Sequence, residues 1–413
     1  MKKFLRFIIF IIILFIGYKL YMYYNGAEIL LKETEEERVI ISDYSIMGTH
    51  LNIKGCIEKT LSEDASLVLK NKQEEIELDS IFYEDDDNTC FYLSENNNEG
   101  IYLDELQKGE YLLLVKDEDL YYSLSNNTDY SNLEYYTITK DNSNNKINII
   151  FSDKDYLKFK IVKSKLPKDV YDITIDPGHG GNDVGTSGKL SGVTYYESDI
   201  TLDVSLKLKE YLEDLGLKVK ITRDVDDYLE PYGEEGRAVI PNKVKSKYSL
   251  SIHVNSSVGA MTYGGVEVYI PNDINTEFAE TIANKLSDVV GYSKKVTDKI
   301  SNGVYFTSFT QSDINKSKKE MLEEDLKPYD IKVGAPYMYM IREVGGINAY
   351  AYIDGRNDKY GLNPYYNFNQ TAEPYLIELG YANYSSDLKN LVNNPDKFAK
   401  AISNSIKEYL KIS

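Results

Sequence analysis

The sequence predicts an α/β domain with a mostly parallel sheet flanked by helices, preceded by an all-β module and an N-terminal transmembrane helix. Three observations support this prediction. An apolar run opens the chain, short alternating segments fill residues 44–165, and strand and helix patterns alternate in residues 166–413. Strands that alternate with helices favour a parallel sheet with crossover helices. The chain has 413 residues, enough for two or three domains with separate cores.

The first element is a basic and apolar segment at residues 1–26. Three basic residues within the first six positions precede a mainly apolar run, residues 7–24, which Lys19 interrupts. A membrane span needs roughly 20 such residues, and the basic flank stays in the cytoplasm. We therefore predict a single-pass membrane anchor that places the rest of the chain outside the cell. Cleavage of the segment as a signal peptide, followed by secretion, is the alternative.

The second element is a β-rich module. A charged segment, residues 27–43, is typical of a stalk, and residues 44–165 form short alternating stretches separated by Asn, Asp, Ser and Gly clusters. This spacing favours an antiparallel, immunoglobulin-like sandwich. His50 lies beside one predicted strand, where a lone histidine is typical of a structural or solvated side chain. We found no catalytic constellation here, so the module is predicted to be a spacer or a protein-binding unit.

Charge and cysteine content limit the class of protein. The chain has 47 basic and 66 acidic residues and a net charge of −19. Binding to nucleic acid needs a basic surface, so we predict no nucleic-acid partner. Two cysteines, Cys56 and Cys90, make no disulfide framework. We expect free thiols, with pairing in an oxidising compartment as the alternative.

The third element is the α/β domain, residues 166–413, where the hydrophobic period changes several times. Alternation or short apolar runs predict strands at residues 171–176, 217–223, 248–254 and 374–380. Helical spacing predicts helices at residues 200–215, at residues 234–247 and from about residue 394. Pro241 lies inside the second of these helices and makes its boundary uncertain.

The stretch TIDPGHGGNDVG, residues 174–185, carries the chemistry. A phosphate-binding loop would need a Lys-Ser/Thr pair after its glycines, and a dinucleotide fingerprint would need glycine where Asp183 stands. A metal explains the stretch better. His179 follows the first predicted strand, His253 ends the third and Glu378 lies near the end of the fourth. Because the carboxyl ends of parallel strands share one sheet edge, we expect these side chains to converge.

Two imidazoles and a carboxylate, with water in the open position, are a common hydrolytic zinc site. Glu197, at the start of the first predicted helix, is one candidate for the carboxylate ligand. Its position is equally explained by the preference of acidic residues for helix N-termini. Asp176, Asp183 and Asp199 compete for the role. Asp176 also suits support of a histidine or of the turn before Pro177.

Five segments in order resemble one enzyme family. They are TIDPGHGG, the glutamate ahead of DITLDVSLKLKEYLEDLGLKVKITRD, then NKVKSKYSLSIHVNSS, GGVEVYI and PYLIELGY. Together they resemble the zinc-dependent N-acetylmuramoyl-L-alanine amidases of the Amidase_3 type, over about residues 171–413. The resemblance implies one zinc ion held by His179, Glu197 and His253, and an essential catalytic Glu378. It also implies peptidoglycan as substrate, cleaved between muramic acid and L-alanine, and hence a chain that faces the cell wall.

Such a site acts through water: zinc lowers the pKa of a bound water, and Glu378 transfers its proton to the leaving amine. Four arginines are candidates for bidentate contacts to substrate carboxylates, with structural pairing to acidic residues as the alternative; they are Arg223, Arg237, Arg342 and Arg356. Two further functions stay open at this point. One is a wall-binding protein without activity, and the other is a zinc peptidase acting on the stem peptide.

The sequence departs from the family in one respect. His253 and Glu378 are 378 − 253 = 125 residues apart, more than is usual, which indicates an insertion at about residues 291–370 similar to those of clostridial members. Its Tyr-, Gly- and Asn-rich second part suits contact with sugars. Its first part predicts a helix bearing Glu320, Glu323 and Glu324. We expect a solvated surface helix there, with a lid that places a carboxylate on zinc as the alternative.

Overall fold

The computed structural model contains two large β-sheets with flanking helices. It describes residues 37–93, 100–126, 133–138, 144–151, 157–259, 263–272, 274–328, 330–353 and 356–412. The predicted membrane anchor, residues 1–26, lies outside these ranges. Within them, no helix combines the length and the apolar character needed to cross a membrane.

The first sheet has thirteen strands, of which twelve come from the β-rich module. Their bounds are β1 Arg38–Met47, β2 His50–Ile57, β3 Ser66–Lys70, β4 Glu75–Leu78, β5 Ile81–Asp85, β6 Asn88–Tyr92, β7 Ile101–Tyr102, β8 Gly109–Asp117, β9 Leu120–Asn126, β10 Leu133–Ile138, β11 Asn144–Phe151 and β12 Leu157–Lys163. The main path runs β10-β11-β12-β8-β9-β1-β2-β6-β5. Inward side chains such as Leu113, Tyr122 and Phe159 form its buried core.

The strands of this module bear on two predictions, the stalk at residues 27–43 and the immunoglobulin-like sandwich. Residues 38–43 belong to β1 and not to the predicted stalk, because the alternation of RVIISDYSIM places Val39 and Ile41 in the core. Strand β1 also pairs in parallel with β9, whereas the β1–β2 and β8–β9 pairs are antiparallel. The immunoglobulin-like arrangement stays a prediction.

The expectation of free thiols is wrong. Cys56 and Cys90 are directly opposite each other on the antiparallel strands β2 and β6, with their Cα atoms 4.0 Å apart, and they form a disulfide. Two cysteines give no sign in the sequence of which residues will be cross-strand neighbours. The pairing register, which places them opposite each other, is a tertiary property.

Reduction of this disulfide is expected to lower the free energy of unfolding by about 2–4 kcal/mol, because the bond closes a loop of 34 residues and restricts the unfolded chain. Thermal unfolding followed with and without a reductant measures the effect. The double variant Cys56→Ala/Cys90→Ala is the control, since a reductant should leave its midpoint unchanged. Equal midpoints for the oxidised and reduced wild type would contradict the expectation.

The second sheet is the core of the α/β domain. Its strands are β13 Ile173–Pro177, β16 Val219–Ile221, β17 Tyr248–Asn255, β18 Glu267–Tyr269, β19 Lys299–Ser301, β20 Val304–Tyr305 and β22 Glu373–Tyr381, in the order β16-β13-β17-β22-β18-β20-β19. The first four of that order are mutually parallel. Strand β18 is antiparallel to β22, so the sheet is mixed at its far side. A separate hairpin joins β14 Ser187–Leu190 to β15 Val193–Tyr196.

Eight α-helices accompany this sheet in the described residues. They are α1 Glu197–Asp214, α2 Ile240–Lys243, α3 Glu277–Val290, α4 Gln311–Glu323, α5 Tyr339–Gly345, α6 Asn357–Tyr360, α7 Ser385–Asn393 and α8 Pro395–Tyr409, with 3₁₀ turns at Arg237–Val239 and Gly346–Ala349. Helices α1, α3 and α8 bury apolar side chains against the sheet, among them Val204, Phe278 and Ile402.

The four predicted strands and the first and last predicted helices of this domain are present. The helix predicted at residues 234–247 is wrong in extent, because it is reduced to a 3₁₀ turn and the short α2. Pro241 lies in the first turn of α2, where its missing N–H costs nothing and its ring is tolerated. The boundaries of the predicted insertion stay a prediction, although residues 299–305 within it extend the sheet.

The two sheets meet at a buried seam. Strand β21, Gln370–Thr371, pairs in parallel with the end of β1. Nδ1 of His50 lies 3.3 Å from Oε2 of Glu373, and both side chains are buried. His50 is therefore a structural residue, as predicted. Glu373 opens β22, whereas Glu378 lies five residues further on, roughly 16 Å along the strand. The β-rich module thus docks at the opposite end of the sheet from the predicted site.

Candidate metal centre

The loop after β13 brings His179 to the carboxyl edge of the sheet. His179 has a positive φ of 59°, an uncommon backbone conformation for a residue other than glycine. Two glycines of this loop leave space for the side chains of the predicted ligands. A Cβ at Gly178 would lie 2.5 Å from the His253 ring, and one at Gly185, whose φ is 64°, would lie 2.5 Å from Oε2 of Glu197. Glycine is needed at both positions because the ligand side chains pack directly against the loop.

Three predicted ligands converge at this edge. Nε2 of His179 lies 3.2 Å from Oε2 of Glu197, and Nδ1 of His253 lies 3.0 Å from Oε1 of the same carboxylate. One ligand atom from each residue falls within 4.8 Å of the other two, so a single metal ion fits between them. Glu197 is buried and is the first residue of α1. Backbone N–H groups of Val254 and Thr186 donate to its two oxygens at 2.8 and 2.9 Å.

Charge interactions among the three residues shift the pKa values of Glu197 and His179. Burial by itself raises the pKa of Glu197, but hydrogen bonds and charge from His179 and His253 outweigh it and hold the pKa well below its usual range. Burial lowers the pKa of His179, yet the carboxylates of Glu197 and Asp183 raise it above its ordinary value overall. The carboxylate therefore stays ionised, as a metal ligand must be.

Asp183 supports His179 from behind. Both of its carboxylate oxygens lie 2.9 Å from Nδ1 of His179, the ring nitrogen opposite the one that faces Glu197. Reciprocal backbone hydrogen bonds between Gly180 and Asp183 close the turn that holds this carboxylate. Asp183, a predicted competing ligand, is thus placed to fix the imidazole tautomer and orientation.

The variant Asp183→Asn is expected to weaken the affinity of the site for a divalent metal ion, tested with Zn²⁺, by about tenfold or more, because the supporting charge on the ligand histidine is lost. Competition with a chromogenic chelator measures the affinity. Asp199→Asn is the matched control, since Asp199 is an exposed carboxylate in the first turn of α1. Equal affinities for the two variants would contradict the role of Asp183.

Glu378 lies on the strand beside His253. The two residues are register partners on the parallel strands β17 and β22, so their side chains project from the same face of the sheet. Oε2 of Glu378 is buried without a hydrogen-bond partner among the described residues. Burial, reinforced by the negative charges of Glu197 and Glu267, raises the pKa of Glu378 well above its usual range, while Lys295 opposes the shift. A cation held by the three ligand candidates, which we call the triad, would also lower the pKa of Glu378.

Glu267 was missed at the sequence level. It is the register partner of Glu378 on β18, is fully buried, and accepts hydrogen bonds from Tyr269 at 2.6 Å and from Ser293 at 2.5 Å. Tyr381 donates to it as well. The signal was present in GGVEVYI, where an acidic residue interrupts an apolar strand. A buried carboxylate needs several donors, and their positions were not visible in the sequence.

Of the two other competing carboxylates, Asp199 is exposed on the first turn of α1 and Asp176 is structural. Asp176 is buried and accepts hydrogen bonds from Thr222 at 2.7 Å and from Ser251 at 2.9 Å. These contacts tie β13 to its neighbour β17 and to the residue that follows β16. Asp176 therefore fixes the strand from which the His179 loop departs.

Two predicted substrate-binding arginines hold the same loop. Arg223 donates to the carbonyl oxygens of Gly178 and Ser198 at 2.8 and 2.9 Å. Arg237 donates to the carbonyl oxygen of His179 at 2.9 Å. Both guanidinium groups are buried. They have protein partners where the sequence predicted substrate partners, because the turn leaves several buried carbonyl groups in need of donors. Substrate contact through them stays a prediction.

The remaining two arginines lie in the predicted insertion. Arg342 is buried and donates to the carbonyl oxygen of Pro336 at 3.0 Å. Arg356 stacks on an aromatic ring, with its guanidinium carbon 3.5 Å from the centroid of Tyr232. Their contact with substrate also stays a prediction.

The predicted helix at the start of the insertion is α4. Glu320 and Glu323 are largely exposed and pair with Lys316 and Lys319, one turn earlier on the same helix. Thr310 caps the helix in a capping box with Asp313. These contacts agree with a solvated surface helix and not with a carboxylate placed on the metal.

The fold and the triad define an α/β protein with a candidate mononuclear metal site of the hydrolytic type. Comparison with known proteins narrows this class. A sequence model of the N-acetylmuramoyl-L-alanine amidase family, Amidase_3, matches residues 173–322. The matched span includes all three ligand candidates, whereas Glu378 lies beyond it.

Two curated relatives are named as amidases. The germination-specific N-acetylmuramoyl-L-alanine amidase of Bacillus subtilis is 35% identical over 96 residues, which is 20% of this chain and 38% of that protein. The probable cell wall amidase LytH of Staphylococcus epidermidis is 30% identical over 142 residues, 34% of this chain and 44% of that one. The chain thus spans less than half the length of these relatives.

Solved structures of amidases are also similar in part. Amidase AmiC2 of Nostoc punctiforme has 23% identity and a TM-score of 0.39, with 60% of this chain and 99% of that chain covered. The catalytic domain of CwlV from Bacillus (Paenibacillus) polymyxa has 21% identity and a TM-score of 0.40, with 59% and 100% covered.

Proposed function

We propose that this chain is a zinc-dependent N-acetylmuramoyl-L-alanine amidase that hydrolyses the amide between muramic acid and L-alanine in peptidoglycan. The convergence of His179, Glu197 and His253 within 4.8 Å is the observation that carries the proposal. The family match over residues 173–322 and the names of the curated relatives support it.

The donor set fits zinc. Two imidazole nitrogens and one carboxylate are a ligand set that catalytic zinc uses, and the fourth position is left for water or substrate. When bound there, zinc supplies a Lewis acid for the scissile carbonyl and an acidified water molecule. His179, Glu197 and His253 would hold the ion. Asp183 keeps Nε2 of His179 free for this role by occupying Nδ1.

Glu378 is the proposed general base. Its unpartnered Oε2 can accept a proton from the attacking water, and its raised pKa lets it keep that proton until the amine leaves. The same oxygen then donates the proton to the amino group of L-alanine. Glu267 and its donors hold the neighbouring strand and keep a second negative charge close by, which favours the protonated form.

The direct test is product analysis with purified peptidoglycan and the 413-residue chain. We expect stem peptides with a free L-alanine amino terminus and glycan strands with free lactyl carboxylates. Cleavage within the stem peptide would indicate a zinc peptidase. The absence of any product from zinc-loaded protein would instead favour a wall-binding protein without activity.

We further propose that residues 1–26 anchor the chain in the cell membrane with the enzyme facing the wall. The support is the basic and apolar pattern of that segment. Fractionation of cells should place the intact chain in the membrane, where protease added from outside degrades it. Recovery of a shortened chain from the medium would favour cleavage and secretion.

A further inference from the structure

Four tyrosines and one arginine form an aromatic surface in the α/β domain. We call Tyr228, Tyr232, Tyr339, Tyr360 and Arg356 the tyrosine strip. The ring centroid of Tyr232 lies 4.7 Å from that of Tyr339 and 5.7 Å from that of Tyr360, and Arg356 stacks on Tyr232. Tyr228 is 47% exposed, and the other three rings are partly exposed. The strip is therefore an aromatic surface that solvent and ligands can reach.

One end of the strip is attached to the metal-ligand loop. Gly181 packs on the main chain of Tyr228, where an added Cβ would lie 2.6 Å from the Tyr228 nitrogen. The N–H of Gly181 also donates to Asp226 at 2.9 Å. The backbone that carries Tyr228 thus contacts the loop that carries His179.

The electrostatics of Tyr228 agree with this position. Burial and then the Glu230 carboxylate raise its pKa, and Tyr360 and Asp183 add to the shift. Asp183 is the carboxylate that contacts His179. Tyr228 lies four residues before Tyr232, so the chain itself links the segment that contacts the metal-ligand loop to the rest of the strip.

The strip is held in place by close backbone contacts. Gly233, with a φ of 76°, lies so near the Tyr360 main chain that a Cβ would come within 1.9 Å of its carbonyl oxygen. Polar groups accompany the rings: Asn357, Asn363 and Glu343 line one concave surface with Tyr232, Tyr339, Tyr360 and Arg356. Asn363 donates to the buried Glu343 carboxylate at 3.0 Å. Fixed rings beside fixed polar groups form a preorganised binding surface.

We propose, on the basis of the proposed amidase function, that the tyrosine strip is the subsite for the glycan strand of peptidoglycan. Pyranose rings present flat C–H faces that pack on aromatic rings, and their hydroxyl groups bond to amides and carboxylates. The Tyr228 end of the strip contacts the metal-ligand loop through Gly181, so a strand joined to the scissile amide can reach it.

The stem peptide is the less suitable occupant. At the Tyr228 end its carboxylates would approach the Glu230 carboxylate, which lies 3.2 Å from the Tyr228 hydroxyl, and the strip offers them one cation, Arg356, whose guanidinium is stacked on Tyr232. Like charges at short distance disfavour a partner. The glycan backbone offers the uncharged ring faces that four tyrosines can cover.

The test is calorimetric titration of the 413-residue chain, freed of metal, with a tetrasaccharide of alternating N-acetylglucosamine and N-acetylmuramic acid whose lactyl carboxylates are capped as methylamides in place of the stem peptide. We expect Tyr228→Ala and Tyr360→Ala each to weaken binding by about tenfold. Tyr228→Phe should stay within about twofold of the wild type, because it keeps the ring. Tyr83→Ala is the matched control, since Tyr83 is 46% exposed but lies on β5 of the other sheet.

Equal tetrasaccharide affinity for the wild type and both alanine variants would overturn the subsite. So would no binding to the wild type, or a loss confined to binding of the free stem pentapeptide. Turnover of peptidoglycan is measured separately. Tetrasaccharide binding through the strip without amide cleavage would refute the amidase function and keep the subsite, whereas cleavage with unchanged affinities would refute the subsite alone.

Discussion

Glu378→Gln is expected to lower the rate of amide cleavage by about 10²- to 10⁴-fold, because the glutamine has no group that can accept the proton of the attacking water. Zinc content should stay the same, since Glu378 lies beside the triad and is not one of the three ligand candidates. Single-turnover measurement of released stem peptide, combined with metal analysis of the same sample, checks both expectations.

The loss should not come from unfolding. A carboxyl whose pKa is raised in the folded state favours folding when it is protonated, and this contribution is lost as the pH rises through the folded pKa. At neutral pH, replacement of Glu378, whose Oε2 is buried without a partner among the described residues, by glutamine therefore removes a cost, and metal-free Glu378→Gln should be at least as stable as the wild type. Activity within a few fold of the wild type would exclude Glu378 as the general base.

His253→Ala is expected to abolish zinc retention and to lower activity by at least about 10²-fold, because the metal supplies several kcal/mol of transition-state stabilisation. Metal analysis after dialysis measures zinc retention directly. Wild type treated with a chelator should show the same loss, and zinc should restore the chelated wild type but not the variant.

His50→Gln is the matched control for this prediction. It removes the third histidine of the sequence, which lies at the seam with Glu373 and not at the triad. Its zinc content should equal that of the wild type even if the seam is weakened. A His253→Ala protein that retains zinc would refute the assigned ligand set.

Several features followed from local pattern alone. The strands that carry His253 and Glu378, and the strand that precedes His179, were predictable because alternation and apolar runs are properties of neighbouring residues. The rule that parallel strands share a carboxyl edge then predicted that these side chains lie together. Pro395 and the apolar stripe after it likewise predicted the last helix.

Other features depended on register and on contacts between distant segments. Spacing allowed either Glu197 or Asp183 as the carboxylate ligand, and the family resemblance favoured Glu197; the separate role of Asp183 beside Nδ1 of His179 needed the positions of both carboxylates. The Cys56–Cys90 disulfide and the pairing of Glu267 with Glu378 needed the strand registers.

The sequence by itself determined that an α/β sheet would present two histidines and a glutamate at one edge. Tertiary structure alone decided which arginines are occupied by carbonyl groups and where the β-rich module docks. The physical reason is the separation along the chain over which each interaction acts. Hydrophobic period and turn chemistry act within a few residues, whereas ligand geometry and buried hydrogen bonds join groups that the chain keeps 18 to 323 residues apart, as His179–Glu197 and His50–Glu373 show.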